Sequence, residues 1–176
     1  MKWPTVVIDN FFNNFTEIKS LCENTKLYNL KQFNKKFKSK ENWPGKRSDV
    51  LKKTNPLLFN KFVKQLPNKF PLLLFTSKIF LDVCIHLRLK NDKEDWIHTD
   101  HECGVHYTLL VYLAKTNLNS GTLFYQEKGD TPSMTVKYIQ NRAVLFDSSI
   151  RHKSLLNYGN SIKNGRLTLN CFITKI

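Results

Sequence analysis

Nowhere in its 176 residues does the chain contain about 18 consecutive apolar residues, so no helical membrane span is expected. The opening Met1-Lys2-Trp3-Pro4 leads only into the short strand-like Thr5-Val6-Val7-Ile8, too little for a secretion signal. Cys22, Cys84, Cys103 and Cys171 show no CxxC spacing. A zinc site and a disulfide framework are therefore not expected, and reduced core or pocket thiols in a cytoplasmic protein are. Internal repeats and low-complexity linkers are also missing, and the length suits one domain over 1–176 with one core. Acidic residues are scarce. Against 28 Lys and Arg stand only 14 Asp and Glu, a formal charge of +14.

That charge leaves contact with nucleic acid or another acidic partner open. The lysines are spread over the whole chain beside abundant Asn, Ile and Phe, a mixture that an AT-rich coding sequence also produces. The densest stretch runs from Lys31 to Lys53 and interleaves aromatics, as in Lys35-Lys36-Phe37-Lys38.

Hydrophobic residues make up 41% of the chain and include 13 Phe, enough for a core. Thr5 to Asp9 is strand-like. Asn13-Asn14-Phe15-Thr16 offers caps for a helix over Glu17 to Asn24, with Phe15, Ile18, Leu21 and Cys22 on one side. Asn55-Pro56 is a helix start leading into Leu57 to Leu66. Between the two, Asn29 to Val50 is polar and basic and carries Trp43-Pro44-Gly45, which suggests a long loop.

From Leu72 onward the pattern changes to strands. Ile79 to Leu89 alternates, with Ile79, Leu81, Val83, Ile85, Leu87 and Leu89 opposite Asp82, Cys84, His86 and Arg88. Further strand-like runs are Trp96–Asp100, Val105–Ala114, Gly121–Tyr125, Met134–Ile139, Ala143–Phe146, Lys153–Tyr158 and Arg166–Thr174. Asn119-Ser120-Gly121, Gly129-Asp130-Thr131-Pro132 and Tyr158-Gly159-Asn160 are the turn signals between them. Many short strands behind two helices predict a mainly β protein: a double-stranded β-helix (jelly-roll) core over about 79–176, with two buttressing N-terminal helices.

His98 and Asp100 stand two residues apart on one of these runs, hence on one face. His152 is the only histidine after position 106. Brought together, they would place two imidazoles and one carboxylate on one side of a metal, the ligand set of non-haem Fe(II) oxygenases. A lone His-x-Asp is more often a surface pair, so the distant His152 decides. His101 and His106 lack this spacing and are left as non-ligands.

The order His98-x-Asp100, His152, Arg166-Leu167-Thr168, with gaps of 52 and 14 (152 − 100 and 166 − 152), resembles the 2-oxoglutarate- and Fe(II)-dependent dioxygenase superfamily. Its prolyl-4-hydroxylase-like branch is the nearest likeness, over roughly Leu81 to Ile173. The resemblance implies Fe(II) on His98, Asp100 and His152, with 2-oxoglutarate and O2 as cosubstrates and ascorbate as an accessory reductant. The same likeness implies that Arg166 and Thr168 bind the distal carboxylate of 2-oxoglutarate. Tyr112, in Leu109-Leu110-Val111-Tyr112-Leu113-Ala114, stands where the family's Tyr joins that carboxylate. Ala114 and Ser120 depart from the family's Asn and first Gly. Arg88 stands about where prolyl hydroxylases carry an inward Tyr. Trp43-Pro44-Gly45-Lys46-Arg47-Ser48 resembles a segment of small phage-type members.

Plainer alternatives accompany each residue: an exposed strand-edge arginine for Arg166, a core aromatic for Tyr112, a solvent-facing strand for Cys84, His86 and Arg88. Asp100 argues against halogenation, because halogenating members leave that position small. The expected reaction is hydroxylation of a C–H bond, with a protein residue such as proline as substrate. A nucleic acid or small molecule in the same chemistry, or a non-catalytic jelly-roll binding module, is the alternative. The segment Asn29–Val50, with Trp43 and Arg47, is expected either as a mobile lid over the iron face or as a surface connector.

Overall fold

The computed structural model describes residues 5–71, 78–101 and 104–175. Among the described residues, five helical segments and ten strands follow one another, with every helix before β4. First come β1 (Val6–Ile8), α1 (Phe15–Glu23), β2 (Tyr28–Asn29), α2 (Leu30–Phe37), β3 (Lys46–Arg47), α3 (Leu51–Thr54), α4 (Pro56–Val63) and α5 (Leu66–Lys69). The strands β4 (Ile79–Arg88), β5 (Tyr107–Tyr112), β6 (Asn117–Tyr125), β7 (Pro132–Tyr138), β8 (Ala143–Asp147), β9 (His152–Leu155) and β10 (Arg166–Lys175) follow. They form a seven-stranded sheet, β1-β8-β5-β10-β4-β3-β2, and a three-stranded sheet, β7-β6-β9. Every pairing is antiparallel. The predicted jelly-roll core with N-terminal helices is present.

Alternation along β4, β5 and β10 gives the large sheet two different faces. On the outer face Val83, Ile85 and Leu87 pair in register with Cys171, Leu169 and Leu167. These residues join one buried cluster with Ile18 and Cys22 of α1, Leu51 of α3, and Leu58 and Phe62 of α4. Each such side chain contributes about 1.5–3 kcal/mol by leaving water, which fixes the helices to that face. The inner face is polar. Across β4, β10 and β5 its rows are His86–Thr168–Tyr112, Cys84–Asn170–Leu110 and Asp82–Phe172–Thr108, with Arg88 opposite Arg166 beyond them. Cys84 and Arg88 are buried, so the polar face of β4 lines an interior and is not solvent-facing.

Three expectations are corrected. Asn29–Val50 is not a long loop: it contains α2 and β3. Asn29 caps α2 reciprocally with Gln32, each side chain accepting from the other's backbone N–H. Leu30, Phe33 and Phe37 supply a sparse apolar stripe hidden among lysines. The two expected buttressing helices are α1 and α4, and the short α3 and α5 add Leu51 and Leu66 to the same core. Trp96–Asp100 is not a regular strand; one bridge, His98 with His152, ties it to β9. Asn119-Ser120-Gly121 is no turn but lies inside β6, where a register shift falls between Asn117 and Gly121. A Cβ on Gly121 would meet Val136 O at 2.2 Å, so close strand packing and not turning requires this glycine. The change to strands expected at Leu72 and the thiol of Cys103 lie outside the described residues, as does Met1-Lys2-Trp3-Pro4. No helix among the described residues is long and apolar enough to cross a membrane.

Candidate metal centre and the buried cluster beside it

The bridge between the segment at 98 and β9 creates the site. His98 and His152 exchange backbone hydrogen bonds of 3.0 and 2.9 Å, and the Asp100 amide donates to Ser148 O at 3.0 Å. This pairing aligns residues that are 54 positions apart and points both imidazoles at the same space. Ring centroids lie 4.5 Å apart. The nearest nitrogen–oxygen approaches are 3.9 Å from His98 Nε2 to Asp100 Oδ1 and 3.6 Å from His152 Nε2 to Asp100 Oδ2. One ligand atom from each residue lies within 4.8 Å of the others.

The donor set is prepared for a cation. His98 Nδ1 lies 2.8 Å from Trp96 O, and His152 Nδ1 lies 2.9 Å from Ile150 O. A carbonyl can only accept, so each Nδ1 carries the proton and each Nε2 keeps its lone pair. Thr108 Oγ1 donates to Asp100 Oδ2 at 2.6 Å and fixes the carboxylate from β5. Such outer partners orient ligands and tune affinity. Burial lowers the pKa of His152, the Asp100 charge opposes that shift, and His98 reinforces it. The net direction is down, which favours the neutral imidazole that metal binding needs. Phe146 packs edge-on against His152 at 4.7 Å and screens it from water. Exposed His101 and His106 are outside this group.

A second cluster lies along the inner face from the triad. Arg166 is 4% exposed, so it is not a strand-edge cation. Its Nη2 donates to Gly121 O at 3.1 Å, its Nε has no partner, and no ion pair holds it among the described residues. The guanidinium lies over the rings of Tyr112 and Tyr138, at 5.9 and 5.8 Å. A buried, mostly unpaired guanidinium fork is what a planar carboxylate requires. Thr168 is its neighbour on the same face, its hydroxyl donating to Asn170 Oδ1 at 2.7 Å. Tyr112 is fully buried, with its hydroxyl 2.7 Å from Thr122 Oγ1 and its ring stacked on Tyr138. Arg88 is engaged differently: its Nη1 meets Asp95 Oδ2 at 2.9 Å and Ser154 Oγ at 2.7 Å. Burial raises the Asp95 carboxyl, but Arg88 and the Ser154 amide more than reverse this, and its pKa is lowered.

The sequence pointed to His98, Asp100, His152, Arg166, Thr168, Tyr112 and Arg88; the first three meet at the bridge to β9, and the other four share the inner face of the large sheet. Thr108, Asp95, Ser154 and Asn170 escaped notice, because a single Thr or Asn on a strand carries no pattern. Arg47, on the segment expected as either a lid or a surface connector, sits on β3 opposite His86 and donates from Nε to Cys84 Sγ at 3.2 Å.

No family model and no curated protein matches the sequence. Solved structures do match. An oxidoreductase of the 2OG-Fe(II) oxygenase family from Burkholderia pseudomallei superposes with a TM-score of 0.68 at 13% identity, over 97% of this chain and 84% of that one. The chain has the fold of the 2-oxoglutarate- and Fe(II)-dependent oxygenases. The viral collagen prolyl hydroxylase vCPH of Paramecium Bursaria Chlorella virus-1, in its 2OG complex, matches at a TM-score of 0.63 and 15% identity, covering 98% and 96%. The epimerase SnoN, in complex with Fe3+, alpha ketoglutarate and nogalamycin RO, matches at 0.64 and 12%, covering 97% and 78%.

Proposed function

We propose that this chain, as one domain over 1–176, is a 2-oxoglutarate- and Fe(II)-dependent oxygenase that hydroxylates a C–H bond of a protein residue such as proline. The observation that carries the enzymatic reading is the triad itself: three ligand atoms within 4.8 Å, both imidazoles already committed to presenting Nε2. Such a set leaves adjacent coordination positions open for substrates. Similarity in fold to a collagen prolyl hydroxylase supports a protein substrate. Cys22, Cys84 and Cys171 are unpaired thiols, which supports a cytoplasmic setting.

In this reading His98, Asp100 and His152 hold Fe(II). Arg166 pairs with the distal carboxylate of 2-oxoglutarate, assisted by Thr168 and Tyr112, and the unpartnered Arg166 Nε is an open donor for it. Arg88 contributes positive potential beside it and stays oriented by Asp95. The chemistry supplied by the bound metal and cosubstrate is oxidation of a C–H bond by O2, coupled to conversion of 2-oxoglutarate to succinate and carbon dioxide. The chain's own part is positioning and exclusion of water. Thr108 keeps one carboxylate oxygen of Asp100 occupied, and Phe146 and Phe124 shield the His152 side.

The test is succinate formation from 2-oxoglutarate with Fe(II), together with Mn(II) binding by the protein and by the His98→Ala variant. Metal-dependent turnover that the variant loses supports the assignment. Wild-type metal affinity in His98→Ala would sink it. A mass increase of about 16 on a peptide substrate, one oxygen atom, identifies the product as hydroxylated.

A further inference from the structure

Positive charge is concentrated in one part of the molecule. Residues 26–53 hold ten Lys and Arg against only Glu41 and Asp49, a formal charge of +8 out of the chain's +14. Base composition can account for the number of lysines, but not for their separation from acids. On α1 and α4 the lysines are matched: Lys19 meets Glu23 at 2.6 Å and Lys61 meets Glu17 at 2.8 Å. Among the described residues, no lysine between 26 and 53 has an ion pair.

Local structure gathers these charges. Asn29 of β2 lies opposite Lys46 of β3, and the chain runs from Asn29 directly into α2. Eight helical residues span only about 12 Å. Lys31, Lys35 and the capping Lys38 follow at the spacing of one helix stripe, and all three are exposed, as are Lys36, Lys40 and Lys46. Like charges at i, i+4 destabilise a helix, and α2 has no acid in its first turn to offset them. A bound polyanion would reverse that repulsion.

Aromatic rings stand among the ammonium groups. Tyr28 is half-buried, with Lys26 and Lys36 Nζ 5.4 and 4.5 Å from its ring centre. Phe37 meets Tyr28 edge-on at 6.0 Å and lies 4.9 Å from the same Lys36 Nζ. Rings flanked by cations suit a nucleotide, whose base stacks while its phosphate meets the lysines. An acidic polypeptide supplies carboxylates but no base to use the rings. Behind this face, buried Trp43 packs on Phe33 at 5.4 Å and lies 6.4 Å from His86, so the lysines stay outside the polar interior. The partner therefore docks beside the site and does not enter it.

We propose that β2, α2 and β3 form a docking surface for single-stranded nucleic acid, with Lys31, Lys35 and Lys38 on phosphates and Tyr28 as a stacking platform. DNA and RNA share this phosphodiester and base chemistry. The surface goes beyond the oxygenase reading and needs neither metal nor cosubstrate.

The experiment is fluorescence anisotropy of a labelled strand of about 12 nucleotides, as DNA in one arm and as RNA of the same sequence in the other, titrated with the full chain at several salt concentrations. Binding in at least one arm is expected, with log K falling by about 0.7 per log unit of salt for each phosphate engaged. Lys31→Gln, Lys35→Gln and Lys38→Gln together should lower affinity about tenfold or more and flatten that slope by about 2. The same loss of net charge at exposed Lys115, Lys128 and Lys163, each changed to Gln, should leave both close to the parent's. Tyr28→Leu, which keeps an apolar side chain, should weaken binding about fivefold or more, the scale for losing one base stack. The tighter arm identifies DNA or RNA, and equal binding identifies a surface that reads only their shared chemistry. The proposal is overturned if neither strand binds at low salt, if the two triple variants weaken binding equally, or if Tyr28→Leu changes nothing. Polyglutamate of matched charge binding as tightly as the strands also overturns it, and assigns the surface to an acidic protein. Because the titration omits metal and 2-oxoglutarate, its failure leaves the oxygenase reading untouched.

Discussion

The two faces of the large sheet use the same strands for opposite purposes. On the outer face Val83, Ile85, Leu167 and Leu169 are buried in a hydrophobic cluster shared with helix side chains. On the inner face Asp82, His86, Arg88 and Arg166 each keep a buried polar atom without a partner. A core tolerates few such atoms, because each one subtracts from stability. Their concentration on one face of one sheet teaches that stability is supplied from outside the barrel and chemistry from within. Substitutions should therefore separate cleanly by face.

The largest effect is expected at the triad. His98→Ala or Asp100→Ala should abolish Mn(II) binding and turnover, exceeding the roughly 10–100-fold cost of losing an outer partner, while circular dichroism stays native. Arg166→Ala comes next. It should weaken 2-oxoglutarate binding by about 3–5 kcal/mol, the scale for breaking a buried charged pair, with Mn(II) affinity retained. An outer-face change should do the reverse: Ile85→Ala is expected to lower unfolding free energy by about 2–5 kcal/mol in urea denaturation and leave metal affinity intact. Ile85→Ala altering metal affinity as strongly as stability would break the division between the faces.

Thr108→Val tests a smaller inner-face term. Loss of its hydrogen bond to Asp100 should reduce metal affinity by about tenfold, read by competition with a chelator. The smallest effect is on pH dependence. Burial holds the pKa values of His86 and His152 below the ordinary 6.5, so both stay neutral where their unfolded counterparts take up protons. Below about pH 6.5 the unfolded chain binds more protons, and stability without metal should fall as pH drops, while above that value these groups contribute no slope. A denaturation midpoint that rises on acidification through this range would contradict the burial of these rings.

Much of the barrel was legible because strand alternation leaves a period of two, as at Ile79–Leu89, and because turn residues punctuate the runs. His98, Asp100 and His152 were legible for a different reason: a metal demands particular donors in a particular order, and the chain has only five histidines from which to choose. The segment Asn29–Val50 misled because its helix is signalled only by one capping box and three apolar residues. Lysines at most other positions of α2 mask a stripe that never becomes fully buried.

By itself the sequence determined the β-rich class, the helices in front of it and the identity of the triad, since all of these follow from local periodicity or donor chemistry. Only the tertiary structure decided which polar residues share the interior. Thr108 reaches Asp100, Asp95 holds Arg88, and Arg47 turns inward to Cys84. Each of these contacts joins residues on different strands or segments, and the one between Arg47 and Cys84 joins residues far apart in sequence. The register of antiparallel pairing brings them together, and no local pattern encodes that register across gaps of up to 37 residues between Arg47 and Cys84.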